Sequence, residues 1–184
     1  MMSKYQELNN ALPYAMPEEL EYLREKSLEL DEEDVVVVIG VGPFVMGLAL
    51  LEQRVFPPQV TAIDITSFYY AECHLRGAGV DPNTVEFLTG DSSSVSKFWN
   101  KPIDLLIVDG DHTFDGCRKD IVAWWPKVKA GGLVFFHDYL EREGGFNGSG
   151  IWFPSGVAQA IEVCRDSSWE VVKALGISRV YTKV

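Results

Sequence analysis

Two short clusters in this 184-residue chain carry residue types that do chemistry. The first is Asp109-Gly110-Asp111-His112, which closes the apolar run from Ile103. The second is His137-Asp138, which closes a run from Leu133. Two carboxylates and an imidazole crowded at the mouth of an apolar strand are costly to place for packing alone. If the two strands are neighbours, Asp109, His137 and Asp138 converge. Such a set suits a divalent cation such as magnesium, manganese or iron. His112, with an ordinary pKa of about 6.5, suits proton transfer near neutrality. The plainer alternative is that Asp111 and Asp138 cap helices and His112 is an exposed loop residue. Two adjacent tails of this kind favour a site.

Earlier strand ends carry polar residues too. Gly40-Val41-Gly42 follows Val35–Ile39. Glycines there let backbone approach a ligand and leave the next helix's N–H groups facing it, although a tight turn explains them equally. Asp64-Ile65 closes Val60–Ile65. An acidic residue about 20 residues past the glycines suits a ribose diol, or it caps the helix that follows. Asp91-Ser92 follows Val85–Thr89. Asp91 fits an adenine amino group and an N-cap equally well.

The elements that must position these groups alternate. An amphipathic helix over Met16–Leu30 is expected on the edge of the domain. Strands are expected at Val35–Ile39, Val60–Ile65, Val85–Thr89, Ile103–Asp109 and Leu133–His137, the last preceded by a Gly131-Gly132 stop. Helices are expected at Phe44–Phe56, Ser67–Ala78, Ser92–Trp99, Phe114–Val128 and Val157–Cys164. Trp169–Ala174 and Arg179–Lys183 lie too close for a crossover and predict an antiparallel hairpin at one edge. The continuous β-branched run at Val35–Ile39 marks a strand covered on both faces. The fold class is therefore α/β, a Rossmann-like, doubly wound, mostly parallel sheet. Ligands in such sheets lie beyond the carboxyl ends of the strands. The expected organisation is one domain over 1–184, with a helical extension (1–33) and a core (34–184).

Tyr139–Pro154 reads as a long Gly-rich loop. Its aromatics Tyr139, Phe146, Trp152 and Phe153 suggest a lid over a ring-bearing or sugar substrate. His74, Trp124-Trp125 and Phe68-Tyr69-Tyr70 read as structural, packing residues.

Composition narrows the function classes. Hydrophobic residues make up 47% and charged residues 23%, which excludes a disordered or coiled-coil chain. The net charge of −11 repels phosphate backbones and anionic bilayers, so neither nucleic acid nor membrane is the expected partner. No apolar run has the length of a membrane span or a signal peptide. Three scattered cysteines read as reduced thiols, pointing to a cytoplasmic location. The N-terminal helix offers a surface for a homodimer.

These motifs resemble the class I S-adenosylmethionine-dependent methyltransferases. Within them the chain is similar to small metal-dependent O-methyltransferases, a group that includes sugar O-methyltransferases of antibiotic pathways. The resemblance covers roughly Val35 to Val184 and is most specific over Ile103 to Tyr139, where DGDH, a helix, a Gly-Gly turn and a strand ending in HD follow in order. It implies O-methylation of a small-molecule hydroxyl, sugar or phenol. Gly40, Val41 and Gly42 would hold the methionine part of S-adenosylmethionine. Asp64 with Ile65 would hold the ribose, and Asp91 and Ser92 would border adenine. Asp109, His137 and Asp138 would bind the metal, magnesium foremost, and His112 would be the general base. Relatives commonly carry an acidic residue where Val38 stands, glycine where Phe44 stands, and Ser or Thr where Met46 stands. A benzyl group is therefore expected beside the cofactor turn. Two rival readings are a non-catalytic binding module of the same fold and a nicotinamide-dependent oxidoreductase. The latter is disfavoured because a full GxGxxG is absent.

Overall fold

A computed structural model describes residues 2–11, 14–42, 44–52, 55–142 and 151–184. Val35–Ile39 forms β1, with all five side chains buried. Val36 and Val38 enter one core while Val37 and Ile39 enter another. Both faces of the strand are covered, which is why its hydrophobicity is continuous rather than alternating. β2 (Gln59–Asp64), β3 (Val85–Thr89), β4 (Ile103–Val108) and β5 (Val128–Phe136) complete a parallel set with β1. β6 (Leu140–Arg142) and β7 (Trp152–Pro154) form a separate antiparallel pair. β8 (Trp169–Leu175) and β9 (Ser178–Lys183) are an antiparallel hairpin, and β9 pairs antiparallel with β5. The strand order of the main sheet is β3-β2-β1-β4-β5-β9-β8. The order reverses between β1 and β4, which opens a crevice at their carboxyl ends.

Helices cover both faces. α1 (Lys4–Ala11), α2 (Pro17–Glu29), α3 (Val45–Leu51) and α4 (Tyr69–Gly77) supply Tyr5, Leu20, Leu23, Leu48 and Leu75 to the first core. α5 (Ser92–Val95) is one short turn near the crevice. α6 (Phe114–Trp124) and α7 (Gly156–Cys164) supply Cys117, Ile121 and Ile161 to the second core. None of the helices among the described residues is long and apolar enough to cross a membrane. Cys73, Cys117 and Cys164 are all free thiols.

α2 packs against the sheet through Tyr22, which stacks on Phe135 of β5 with ring centroids 6.5 Å apart. Several sequence expectations need correction. α1 was not expected. Its first N–H groups, at Lys4 and Tyr5, donate to the distant Glu52 carboxylate at 2.8 and 2.9 Å, while Gln6 Oε1 accepts from Ser3 N at 3.0 Å and Ser3 Oγ from Gln6 N at 3.4 Å, a local Ser-x-x-Gln capping box that the sequence did offer. The Gly131-Gly132 pair does not precede β5 but lies inside it. Gly131 has φ +80, and the pairing with β4 slips between Ile103 and Leu105, which marks a bulge. Leu140–Arg142 and Trp152–Pro154 are strands where a loop was expected; Phe146 lies outside the described residues. Phe68 and Trp124 are buried as expected, but Tyr69 and Tyr70 are exposed, because α4 turns only Ala71 and Leu75 fully inward.

The tightest backbone contact is at the switch in strand order. A Cβ at Gly40 would lie 1.9 Å from the Asp109 carbonyl oxygen, and Gly40 has φ +78. No other residue fits. We expect Gly40→Ala to destabilise the protein by about 2–4 kcal/mol in urea unfolding. Gly77→Ala, at a helical position with open space, is expected to be neutral or mildly stabilising.

Candidate functional site

Three backbone bonds align the strand tails. Gly40 N donates to Ile63 O at 2.9 Å, Asp109 N to Ile39 O at 2.8 Å, and His137 N to Val108 O at 3.0 Å. The tails of β4 and β5 consequently lie side by side, as the sequence predicted. His137 Nδ1 is 2.9 Å from Asp109 Oδ1 and 3.0 Å from Asp138 Oδ2. His112 Nδ1 is 3.1 Å from Asp138 Oδ2, and its Nε2 is 3.6 Å from Asp109 Oδ1.

These contacts set the charge states. Burial works against a charged His137, but the Asp109 charge and the contacts to Asp109, Asp138 and Glu19 outweigh it, so its pKa stands well above the ordinary value. For Asp109, burial pushes the pKa up, yet the charge of His137 and the contact with His112 bring it below the ordinary range. His112 is raised, chiefly by its contact with Asp109, with burial opposing and the charge of Asp138 adding.

The tail of β5 is held in an uncommon backbone conformation. Asp138 has φ 51, a left-handed value that strains a non-glycine residue. Ser155 pins it. Its hydroxyl donates to Asp138 O at 2.5 Å while accepting from Val157 N at 3.0 Å, which caps α7. Gly156 lets α7 pack on the loop after β4, since a Cβ there would meet His112 O at 2.5 Å. Ser155 and Gly156 are thus structural partners of the site that no local motif announced.

The crevice has two halves that share Gly40, Val41, Gly42, Asp109 and Gly110. The larger, of about 540 Å³, is walled by Asp64, Ile65, Asp91, Ser92 and Asp120 among others. Asp64 Oδ2 accepts from Val41 N at 2.8 Å, and Oδ1 accepts from Thr66 N and Oγ1, both at 2.9 Å. Burial alone would raise the Asp64 pKa; these bonds lower it. Each carboxylate oxygen retains accepting capacity for a ligand. Asp91 caps α5 by accepting from Ser94 N at 2.9 Å, so its N-cap role is realised. Asp111 accepts from Thr113 N at 2.9 Å and likewise organises its own loop.

Asp120 was missed by the sequence reading. It stands on the buried stripe of α6 with Cys117, Ile121 and Trp124, and accepts from the Ser92 hydroxyl. A carboxyl within an apolar helical stripe is the signal that would have exposed it. Burial pushes its pKa up to about 6.

The smaller half, of about 250 Å³, is lined by Asp109, His112, His137 and Asp138, with Val38, Val45 and Met46. Tyr14 and Ala15, from the segment before α2, also line it, which the sequence did not foretell. Tyr139, Trp152 and Phe153 wall neither half; Arg179 lies over the Tyr139 ring at 4.6 Å. Phe44 borders the smaller half beside the glycine turn, as expected, without filling it. It is 1% exposed and packs against Phe87 at 6.0 Å between centroids, with its ring seated on Gly47.

The donor set fits a divalent cation. One ligand atom each from Asp109, His137 and Asp138 falls within 4.8 Å of the others. The buried ring nitrogens of His137 have no aligned hydrogen bond, although carboxylates surround them. The larger half, rich in carboxylates and floored by glycines, fits a positively charged nucleoside better than a pyrophosphate.

Residues 37–139, more than half the chain, match the family model for the methyltransferase domain, and the chain belongs to that family. The fold is that of class I S-adenosylmethionine-dependent methyltransferases. It is similar to the SAH-bound Podospora anserina methyltransferase PaMTH1 (TM-score 0.74, 14% identity, 100% of this chain and 89% of that one). It is also similar to a Staphylococcus aureus protein provisionally named a caffeoyl-CoA O-methyltransferase (TM-score 0.71, 14% identity, 97% and 90%). An rRNA methylase from Streptococcus thermophilus shares the fold as well (TM-score 0.66, 14% identity, 92% and 99%). In sequence, 50 residues are 42% identical to an uncharacterised protein of Sinorhizobium fredii; the match takes in 27% of this chain and 5% of that protein.

Asp120 yields a test. Its raised pKa means the folded state holds this proton more tightly than the unfolded chain. Its stabilising contribution is complete below about pH 4 and is lost as pH rises through about 6. The ionised carboxylate then costs about 3 kcal/mol. Asp120→Asn is expected to raise urea stability by that order at pH 8 and by about half as much at pH 5. A gain that does not change across this range would show that Asp120 does not titrate there.

Proposed function

We propose that this methyltransferase transfers a methyl group to a hydroxyl of a small molecule, a sugar or a phenol, with assistance from a divalent cation. The observation that carries this reading is the junction of the β4 and β5 tails, where His112, His137, Asp109 and Asp138 meet beside the Gly40–Gly42 turn. S-adenosylmethionine, when bound, supplies an electrophilic sulfonium methyl, and a divalent cation, when bound, lowers the pKa of an acceptor hydroxyl and orients it.

Gly40, Val41 and Gly42 would border the methionine part, and Asp64 with Ile65 the ribose. Asp91, Ser92 and Asp120 would border the adenine half. Asp109, His137 and Asp138 would hold the cation. His112 is the base: Asp138, 3.1 Å from Nδ1, holds a proton there and leaves Nε2 to accept the one released by the hydroxyl. The remaining task of the chain is alignment, and rigid strand tails suit it. The β6–β7 hairpin, with Tyr139, Trp152 and Phe153, is the candidate cover for the acceptor.

An acidic crevice in a chain of net charge −11 argues against RNA as the acceptor, and five carboxylates along the nucleoside half argue against a dinucleotide. The deciding experiment combines calorimetry with S-adenosylhomocysteine, with and without magnesium, and a methyl-transfer screen over phenols, sugars and RNA. Transfer to hydroxyl compounds that stops in excess chelator supports the reading. Transfer to RNA alone, or full activity in chelator, overturns it. A protein that binds no S-adenosylhomocysteine would instead be a binding module. We expect His112→Ala to lower kcat by about 10²–10⁴-fold and to remove the acid limb of the pH–rate profile, with S-adenosylhomocysteine affinity unchanged. Unchanged turnover would remove His112 from the mechanism.

A further inference from the structure

The residue that explains the posture of His137 lies far from it in sequence. Glu19, in the first turn of α2, is wholly buried. Burying a carboxylate costs several kcal/mol unless partners surround it. Glu19 has three. Its Oε1 accepts from Ser178 Oγ at 2.7 Å, across 159 residues of sequence. Its Oε2 accepts from Met16 N at 2.7 Å, which closes the N-terminus of α2. The same Oε2 stands 3.3 Å from His137 Nε2. His137 is itself 4% exposed, and its other nitrogen, Nδ1, faces Asp109 and Asp138. The imidazole therefore bridges three carboxylates, Glu19 on one side and Asp109 with Asp138 on the other.

We propose that Glu19 is a positioning residue for the cation site: by holding the Nε2–H side of His137, it keeps Nδ1 turned toward Asp109 and Asp138, where a cation would take the place of the Nδ1 proton. This rests on the reading of Asp109, His137 and Asp138 as cation ligands. An imidazole presents a lone pair on one nitrogen only when the other carries the proton, so a carboxylate fixed on Nε2 selects the binding tautomer. It also stops the ring from rotating. Glu19 itself contacts neither the acceptor side nor the nucleoside half of the crevice. The clasp is kept closed by the start of β9, through Ser178, and by the turn before it. There a Cβ at Gly176 would approach Met16 and Glu18 side-chain atoms to 3.0–3.1 Å.

The test is calorimetric titration of manganese into wild type, Glu19→Gln, Ser178→Ala and Asp109→Asn, each also measured for S-adenosylhomocysteine affinity and Tm. Glu19→Gln keeps the side-chain shape but can turn an amide donor toward Nε2. It is expected to weaken manganese binding by about 10–100-fold, with S-adenosylhomocysteine affinity within twofold of wild type. Ser178→Ala removes one support of Glu19 and leaves the His137 contact. It is expected to lower Tm while keeping manganese affinity within threefold. In magnesium-saturated wild type, the Nε2–H proton of His137 should give a downfield imidazole resonance that Glu19→Gln shifts upfield or loses. If Glu19→Gln binds manganese as wild type does while Asp109→Asn does not, Glu19 is only a structural tie and the proposal falls. It also falls if Ser178→Ala loses the cation as severely as Glu19→Gln does, since general loosening then explains both. If wild type itself takes up no cation, the metal reading fails and this inference with it.

Discussion

The crevice depends on one close approach: the backbone of Gly40 against the carbonyl of Asp109. It brings the ends of β1 and β4 together where strand order reverses. Around that contact the chain places the glycine turn on one side and the β4–β5 tails on the other. A side chain at position 40 would wedge the two strands apart, and the acidic and imidazole groups would separate with them.

The second constraint is electrostatic. Asp109, Asp138 and Glu19 converge on His137, and His112 fills the remaining gap between Asp109 and Asp138. Carboxylates this close repel unless positive charge sits between them. Two imidazoles meet that need in the protein alone. A cation would meet it as well, and the same geometry then serves acid–base chemistry and ligand binding. The strained backbone of Asp138, pinned by Ser155, belongs to this balance.

Most of the sheet was legible in the sequence. β1 and β3 match the expected spans residue for residue, and the edge hairpin of β8 and β9 was expected from the short gap between two apolar runs. These elements announce themselves through local periodicity. What escaped was long-range. α1 is held by Glu52 as well as by its own Ser3–Gln6 cap, and Tyr14 reaches the crevice from the opposite end of the chain. Glu19 reads locally as an ordinary first-turn acid of a helix beginning at Pro17, and nothing nearby marks its second partner. The site was legible where its residues end strands and illegible where they approach from helices. The same limit applies to Phe44, which borders the crevice as expected but lays its ring on the bare surface of Gly47, a resting place that only the folded chain reveals.

The bond between Glu19 and Ser178 ties the first turn of α2 to the start of β9, the last strand among the described residues. During synthesis the early helix is made long before its distant hydroxyl partner leaves the ribosome. Until then Glu19 has no buried berth, and the imidazole of His137 has nothing behind it. The cation-facing corner is therefore complete only once β9 has joined the sheet and given Glu19 its hydroxyl partner.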